Sequence, residues 1–340
     1  MEPQTSPLLD VRASQAIKGL AVALMLVHHF FTFPEWIPEI PISTAFAMIF
    51  REPTRICVPI FAFLTGWAFA HHADRSIREA LRKDLRFLLN YWPACILCFV
   101  ICALTLGRLP DPESLLLEML GLSGSIMIFC WYVAFFIAAM PLLAALSRVL
   151  DRNLWLGILT GWFGVPAVCY ALFQVIHNTQ LRQILYHLLE YFPIVCSGYL
   201  CARHGLFARL RAALRRIRLD RAPVYVSVFL LMMFARALLP HLDTLYAPLA
   251  VFALSELFAD PRLSLPTAAL RFLGRHSANI WFLHGVFFLG GQPRMHWIAY
   301  WPRVPILVFL WVLAVCLIAS MGLTRIQRSL TRLTILQKKA

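Results

Sequence analysis

The chain alternates between long apolar runs and short polar connections that are rich in Arg and Pro. A helix that crosses a bilayer needs about 20 mostly apolar residues, and many of these runs approach that length. They predict an all-α fold: one polytopic membrane helix bundle over residues 1–340, with about ten transmembrane helices. The predicted spans cover approximately residues 14–33, 56–71, 84–106, 127–147, 154–174, 183–202, 223–239, 244–258, 277–291 and 301–321.

Basic residues concentrate in alternate connections, which predicts an orientation. Arginines are dense between the second and third spans, at 203–221, and in the C-terminal tail. Because short cytoplasmic loops carry an excess of Lys and Arg, we expect both termini to be cytoplasmic. Connections of the opposite parity are acidic or Pro-rich, as in residues 34–41 and 108–113. Segment 203–221 is predicted to be a basic cytoplasmic loop or amphipathic helix that contacts anionic membrane lipids.

The composition excludes an ordinary soluble protein. Of 340 residues, 60% are hydrophobic and 14% are charged, against about 25% charged residues in a soluble domain. The net charge of +14 does not indicate a nucleic-acid partner, since the basic residues lie in alternate loops. Nine cysteines lie mostly in apolar runs, and although Cys95 and Cys98 are three residues apart, no second pair completes a ligand set, so no metal site is predicted.

Ionisable side chains at membrane depth are costly, so they tend to face the bundle interior and to serve function or pairing. Lys18 and His29 share nearly one face of the first span, roughly 16 Å apart along its axis, and His284 lies in the ninth span. The alternative is that Lys18 extends to lipid headgroups and the histidines only bond to neighbouring helices. Glu190 and Arg236 lie near the ends of predicted spans, where each charged side chain is expected to extend to the lipid headgroups.

The second predicted span contains Thr65 and Gly66, together with Pro59, which allow a bend and the close approach of a backbone or ligand. A basic stripe follows this span. Such a stripe suits the phosphates of a soluble anionic donor, although the positive-inside bias alone also produces it. Its residues are Arg75, Arg78, Arg82, Lys83 and Arg86.

Six segments, in order and spacing, resemble those of the membrane acyltransferase-3 family, bacterial O-acyltransferases that use acyl-CoA to acylate surface glycans. The resemblance covers most of the chain, and each string by itself is too apolar to be specific. The segments are KGLAVALMLVHH (Lys18 to His29), IFAFLTG (Ile60 to Gly66), RKDLRFLLNYW (Arg82 to Trp92), CWYVAFFIAAMPLL, YFPIVCSGYL and LGRHSANIWFLH.

The resemblance implies an inner-membrane O-acyltransferase, most simply an O-acetyltransferase. Acetyl-CoA would be a co-substrate, with no bound cofactor, and the acceptor would be a sugar hydroxyl of a surface polysaccharide, lipopolysaccharide or lipid-linked glycan. A separate periplasmic or glycan-assembly protein is a possible partner, because this chain lacks the hydrolase-like domain of some members.

The resemblance also implies roles for individual residues. His29 would act as a general base or as a covalent acyl relay, and Lys18 would lie close to the thioester, with both side chains facing one water-accessible shaft. The CoA phosphates would meet Arg78, Arg82, Lys83 and Arg86. The residues expected to line the passage or the acceptor site are His28, Thr65, Trp131, Tyr132, Asn279 and His284.

This sequence departs from the family pattern at three positions: Thr65 replaces the usual Ser, Lys18 the commoner Arg, and Leu89 a frequent Pro. Lys and Arg bind phosphate with different geometry. The main alternative function is a transporter or flippase for a glycan or an anionic small molecule, which would also contain a broken helix and buried ionisable residues. The two halves of the chain show no inverted repeat, which disfavours this alternative.

Overall fold

The computed structural model describes residues 9–33, 42–107, 111–124, 126–291 and 293–336. The acidic connection 34–41, the first part of 108–113 and the end of the basic tail therefore lie outside the described residues. The described part forms helices and no strand. The helices are α1 (Val11–Phe31), α2 (Thr44–Thr54), α3 (Cys57–Ala70), α4 (Ile77–Leu106), α5 (Pro112–Met119), α6 (Trp131–Arg152), α7 (Leu154–Val175, with a π-helical centre), α8 (Thr179–Arg203), α9 (Leu206–Arg216), α10 (Ala222–Leu238), α11 (Asp243–Phe258), α12 (Ser264–Arg275), α13 (Ser277–His284), α14 (Pro293–Tyr300) and α15 (Pro305–Leu336).

Seven helical segments in the described part are long and apolar enough to cross a membrane, which confirms a multi-pass membrane protein. Three other predicted spans correspond to the shorter α10, α11 and α13, of 17, 16 and 8 residues. The count of about ten spans and the cytoplasmic termini stay predictions. The seven segments are Val11–Phe31, Thr44–Ala70, Ile77–Thr105, Trp131–Arg152, Leu154–Val175, Thr179–Arg203 and Pro305–Ser329.

Side-chain caps define where several helices begin. The carboxylate of Asp10 accepts a hydrogen bond from the backbone N–H of Ala13 at the start of α1, at 2.7 Å. Ser76 and Asn178 cap α4 and α8 in the same way. Each cap satisfies an N–H group that has no partner inside its helix, so these boundaries follow directly from the local sequence.

Helices α3 and α8 cross at a pair of glycines. A Cβ atom at Gly66 would lie 1.8 Å from the carbonyl oxygen of Val195, and one at Gly198 would lie 2.0 Å from that of Phe63. The two backbones are therefore in direct contact, as at small-residue crossings in membranes. This contact fixes α3 against α8, and both helices contribute residues to the site described below.

A second glycine pair joins α1 to α12. A Cβ at Gly19 would lie 2.0 Å from the carbonyl oxygen of Leu270, and one at Gly274 would lie 1.8 Å from that of Gln15. The predicted spans had placed residues 259–276 in a connection. The structure instead forms a helix there, which packs against α1 beside Lys18.

An ionic cluster ties the helices together at the arginine-rich end of the bundle. Asp151 on α6 binds Arg75 at 2.7 Å and Arg203 at 2.8 Å, and its carboxylate also accepts a hydrogen bond from Tyr199. Arg75 is thus part of the scaffold. The nearby helix α9 is joined to α11 by an ion pair at 2.8 Å between Arg211 and Glu256.

We expect Gly66→Ala and Gly198→Ala each to destabilise the protein by about 3 kcal/mol or more, because a methyl group at either position meets backbone that no rotamer change can move. The thermal unfolding midpoint of the purified protein measures this effect. Gly322→Ala is the matched control, since a Cβ there meets no atom within 4 Å. Equal midpoints for all three variants would contradict the proposed contact.

Candidate functional site

Two cavities lie inside the bundle, near opposite ends of α1. The first, which we call the basic-end cavity, has a volume of about 340 Å³, within the usual range for a small-molecule site. Its polar residues Lys18, Thr65, His72 and Lys83 lie among mostly apolar walls. The larger wall residues are Phe61, Leu64, Phe69, Phe87, Tyr132, Phe136, Met140, Trp281 and Phe282.

Lys83 brings the basic stripe to this cavity. Its Nζ is buried, lies 4.7 Å from the ring centroid of Phe69, and has no hydrogen-bond partner among the described residues. Arg78, Arg82 and Arg86 are exposed on α4 and do not line the cavity. The structure therefore separates the four predicted donor-binding residues into one cavity residue and three surface residues.

His72 adds a polar but weakly basic group to the basic-end cavity. Burial and the neighbouring Lys83 lower the pKa of His72, against a smaller opposing effect of Glu79. The lowered pKa favours the neutral imidazole of His72. Lys18 and Lys83 are the more basic side chains of the cavity.

The second cavity, which we call the histidine cavity, has a volume of about 190 Å³ and includes His29. Aromatic side chains line it, as they line the basic-end cavity, but it holds more histidine and charged side chains. The lining residues are His28, His29, Arg55, Cys57, Val58, Phe129, Trp131, Tyr186, His187, Glu190, Tyr191 and Trp281.

His29 is oriented by a chain of hydrogen bonds. His284 bonds through Nδ1 to the carbonyl oxygen of Trp281, and because a carbonyl only accepts, this Nδ1 carries the proton. The Nε2 of neutral His284 is then an acceptor, and it lies 2.9 Å from Nδ1 of His29. His29 must donate there, so its own Nε2 is left unprotonated. This is the tautomer that a general base or a nucleophile requires.

Phe129 packs flat against both histidines. Its ring centroid lies 3.8 Å from that of His29 and 4.8 Å from that of His284, with interplanar angles of 23° and 15°. The stacked contact with Phe129 and the hydrogen bond with His284 therefore hold the His29 ring. Sequence reasoning missed Phe129, which precedes the predicted Trp131 and Tyr132 in an apolar run.

Trp281 separates the two cavities, since its side chain lines both of them. Its Nε1 donates to the carbonyl oxygen of Phe129 at 3.2 Å, and its ring packs against Phe61 and Tyr132 at centroid distances of 5.0 and 5.1 Å. Lys18 and His29 both face the protein interior, but each lines a different cavity. A single water-accessible shaft that joins them stays a prediction.

Thr65 and the adjacent pair Trp131 and Tyr132 are divided between the cavities. The hydroxyl of Thr65 donates to the carbonyl oxygen of Phe61 at 2.9 Å and lies 3.5 Å from the hydroxyl of Tyr132, beside the basic-end cavity. Trp131, one residue earlier on α6, lines the histidine cavity. Consecutive helical residues point about 100° apart, which explains this division.

Two other predicted lining residues have structural contacts. His28 Nδ1 lies 3.0 Å from the carbonyl oxygen of Arg51, so that His28 joins α1 to α2 at the edge of the histidine cavity. Asn279 bonds to Thr324 at 3.3 Å and to Gln327 at 3.1 Å. Asn279 therefore faces α15, away from both cavities.

An ion pair between Arg55, at the C-terminal end of α2, and Glu190 on α8 was missed from the sequence. Arg55 Nη2 lies 3.2 Å from Glu190 Oε1 and 3.3 Å from the hydroxyl of Tyr191. A signal existed in the spacing of Tyr186, His187, Glu190 and Tyr191, which share one face of α8. Glu190 is therefore a cavity residue and does not extend to headgroups.

Arg236 is also buried, with 1% of its surface exposed, which overturns its assignment to the lipid headgroups. Its Nε and Nη2 lie 2.8 and 3.0 Å from the two carboxylate oxygens of Asp243, and Nη1 bonds to the carboxylate and carbonyl oxygens of Glu52. These bonds join α2, α10 and α11. A buried cation requires such pairing.

No group of three or more His, Cys, Asp or Glu side chains that could hold a metal ion is found within the described ranges. Comparison with known proteins gives one finding. A family model described as an acyltransferase domain matches residues 11–325 and so includes both cavities. No curated protein and no solved structure matches.

We expect Arg236→Met to destabilise the protein by about 3–5 kcal/mol, because it leaves Asp243 buried without its cation. Chemical or thermal unfolding of the purified protein measures the change. Arg262→Met is the control, since the Arg262 side chain is 90% exposed. A loss of stability no larger than that of the control would show that the contacts of Arg236 with Asp243 and Glu52 do not stabilise the fold.

Proposed function

We propose, since the chain belongs to the acyltransferase-3 family, that this multi-pass membrane acyltransferase is an O-acyltransferase of surface glycans. Its donor would be acyl-CoA, most simply acetyl-CoA, and its acceptor a sugar hydroxyl of a surface polysaccharide, lipopolysaccharide or lipid-linked glycan. The observation that carries the proposal is the hydrogen-bond chain from Trp281 through His284, which leaves Nε2 of His29 free to accept a proton or an acyl group.

The donor would occupy the basic-end cavity. Its apolar walls suit the acyl group and the thioester arm, while Lys18 and Lys83 supply charge for the anionic part of CoA. In this proposal Arg78, Arg82 and Arg86 would contact the phosphates outside the cavity, as exposed side chains at the same end of α4. The arginine-rich end would then face the cytoplasm, where acyl-CoA is made, and the membrane would be the bacterial inner membrane.

The transfer step has two possible routes through His29. As a general base, Nε2 takes the proton of the acceptor hydroxyl while the oxygen attacks the thioester carbonyl carbon; the C–S bond breaks, and the CoA thiolate recovers the proton. As a relay, Nε2 attacks the thioester carbonyl carbon and the C–S bond breaks, so that CoA leaves as the thiolate; the acyl-imidazolium then passes its acyl group to the acceptor oxygen, and the hydroxyl proton goes to the thiolate. Both routes require the Trp281 side chain to move, because it lies between donor and acceptor.

We expect His29→Ala to lower kcat by roughly 10²–10⁴-fold, the usual contribution of a positioned proton-transfer group, with acetyl-CoA binding retained. His284→Ala should give a smaller loss, because the His29 ring stays but its tautomer is no longer fixed. The measurement is transfer from labelled acetyl-CoA to glycan by the purified protein in vesicles.

The control for this experiment is His177→Ala, an exposed histidine outside both cavities. Full transfer activity in His29→Ala would refute the assignment of His29. Failure of the wild-type protein to bind acetyl-CoA would instead favour a transporter or flippase.

We expect Lys83→Met to raise KM for acetyl-CoA about tenfold or more with little change in kcat, because a charged contact to the donor is lost. The affinity of the variant should also depend less on salt than that of the wild type. Steady-state kinetics at two ionic strengths measure both effects. Arg209→Met, in the exposed basic segment, is the control. An unchanged KM for acetyl-CoA in Lys83→Met would contradict the placement of the donor in this cavity.

A further inference from the structure

The histidine cavity contains two buried polar atoms that lack a partner. They are Oε2 of Glu190 and Nδ1 of His187, and neither has a hydrogen bond among the described residues. Both residues line the cavity that contains His29. A buried polar group without a hydrogen bond is costly, and native proteins usually pair such groups with protein, water or ligand.

The charges in this cavity are balanced. The Glu190 carboxylate is paired through Oε1 with Arg55, so the pair as a whole is neutral. The remaining capacity of Glu190 is that of a hydrogen-bond acceptor. A ligand that brings an O–H donor therefore fits better than one that brings a second carboxylate.

Aromatic rings form the rest of the polar wall. The ring of Trp131 stacks on His187 at a centroid distance of 4.0 Å and on Tyr191 at 5.3 Å, with interplanar angles of 22° and 25°. Such rings offer flat apolar area beside polar atoms. The volume of about 190 Å³ is below the size usual for a whole drug-sized ligand, so it suits one ring of a larger acceptor.

The cavity also has an accessible edge. Tyr186 is 47% exposed, and 36% of the Arg55 side chain is exposed. Trp281 lines both cavities and so lies on the wall towards the basic-end cavity, and His29 lines the histidine cavity. An acceptor can therefore enter past Tyr186 and Arg55 and present one hydroxyl to His29.

We propose that the histidine cavity binds one neutral, hydroxyl-rich ring of the acceptor. Glu190 Oε2 accepts a hydrogen bond from a ring hydroxyl, and His187 Nδ1 bonds to another, next to the hydroxyl that His29 activates. Glu190 and His187 are thus specificity-determining residues for an uncharged sugar. The role of this ring in acyl transfer rests on the proposed function, whereas the binding of the ring to the cavity does not.

The test uses the full chain in lipid nanodiscs. Octyl glucoside, below its micellar concentration, serves as the neutral ring, and octyl glucuronide as its carboxylate analogue. Two variants keep the shape of the wall: Glu190→Gln removes the charge, and His187→Phe retains a ring against Trp131 but removes Nδ1. Equilibrium binding of each glycoside and, separately, of acetyl-CoA is measured.

We expect the wild-type protein to bind octyl glucoside more tightly than octyl glucuronide. Each variant should weaken octyl glucoside binding by about tenfold or more, as expected for the loss of a hydrogen bond to a charged or buried group. Glu190→Gln should also reduce the preference for the neutral glycoside, because it leaves the Arg55 charge uncompensated. Binding of acetyl-CoA should be the same in all proteins.

The controls are Glu256→Gln, which alters another arginine-paired glutamate at the opposite end of the bundle, and His177→Phe. Equal octyl glucoside affinity in the wild type and both cavity variants would overturn the proposal, as would tighter wild-type binding of the glucuronide. If the wild type binds octyl glucoside as expected but not acetyl-CoA, the proposed function fails while the ring site stands.

Discussion

Inside a bilayer no water is available to satisfy a polar group, so each buried donor, acceptor or charge must find its partner within the protein. This constraint organises the bundle. Arg236 is neutralised by Asp243 and Glu52, and His284 is satisfied by the carbonyl oxygen of Trp281. Two buried atoms in the histidine cavity, Glu190 Oε2 and His187 Nδ1, have no such partner, and this unused hydrogen-bonding capacity is the basis of the proposed acceptor-ring site.

Rigid helix crossings make such a network possible. The backbone contact of Gly66 with α8 and of Gly19 with α12 places helices at distances that side chains alone could not achieve. The side chains that form hydrogen bonds in the site then lie on helices whose relative positions are fixed. His29 gains its tautomer from α13, its stacking partner from the segment before α6, and its cavity wall from α8, so three other parts of the chain surround this one imidazole.

Much of the fold could be predicted from the sequence, because membrane helices are specified by apolar length. The pairing of His29 with His284 was within reach, since few ionisable residues lie at membrane depth. The roles of Glu190 and Arg236 were not, because position near a span end does not reveal whether a long side chain turns inward or towards lipid. Likewise, the separation of Lys18 from His29 depends on where Trp281 packs, and periodicity along one helix carries no information about a ring on another.

The position of Trp281 has a consequence for the electrical insulation of the membrane. Each elementary charge that crosses a bilayer with a potential of 100 mV exchanges about 2.3 kcal/mol with the field, so an open water-filled pore would dissipate the ion gradients on which a cell depends. In the proposed function, a ring between the two pockets would let an uncharged acyl fragment pass by a local side-chain movement, while protons and ions would meet an apolar barrier. Acyl transfer across the bilayer would then proceed without conductance.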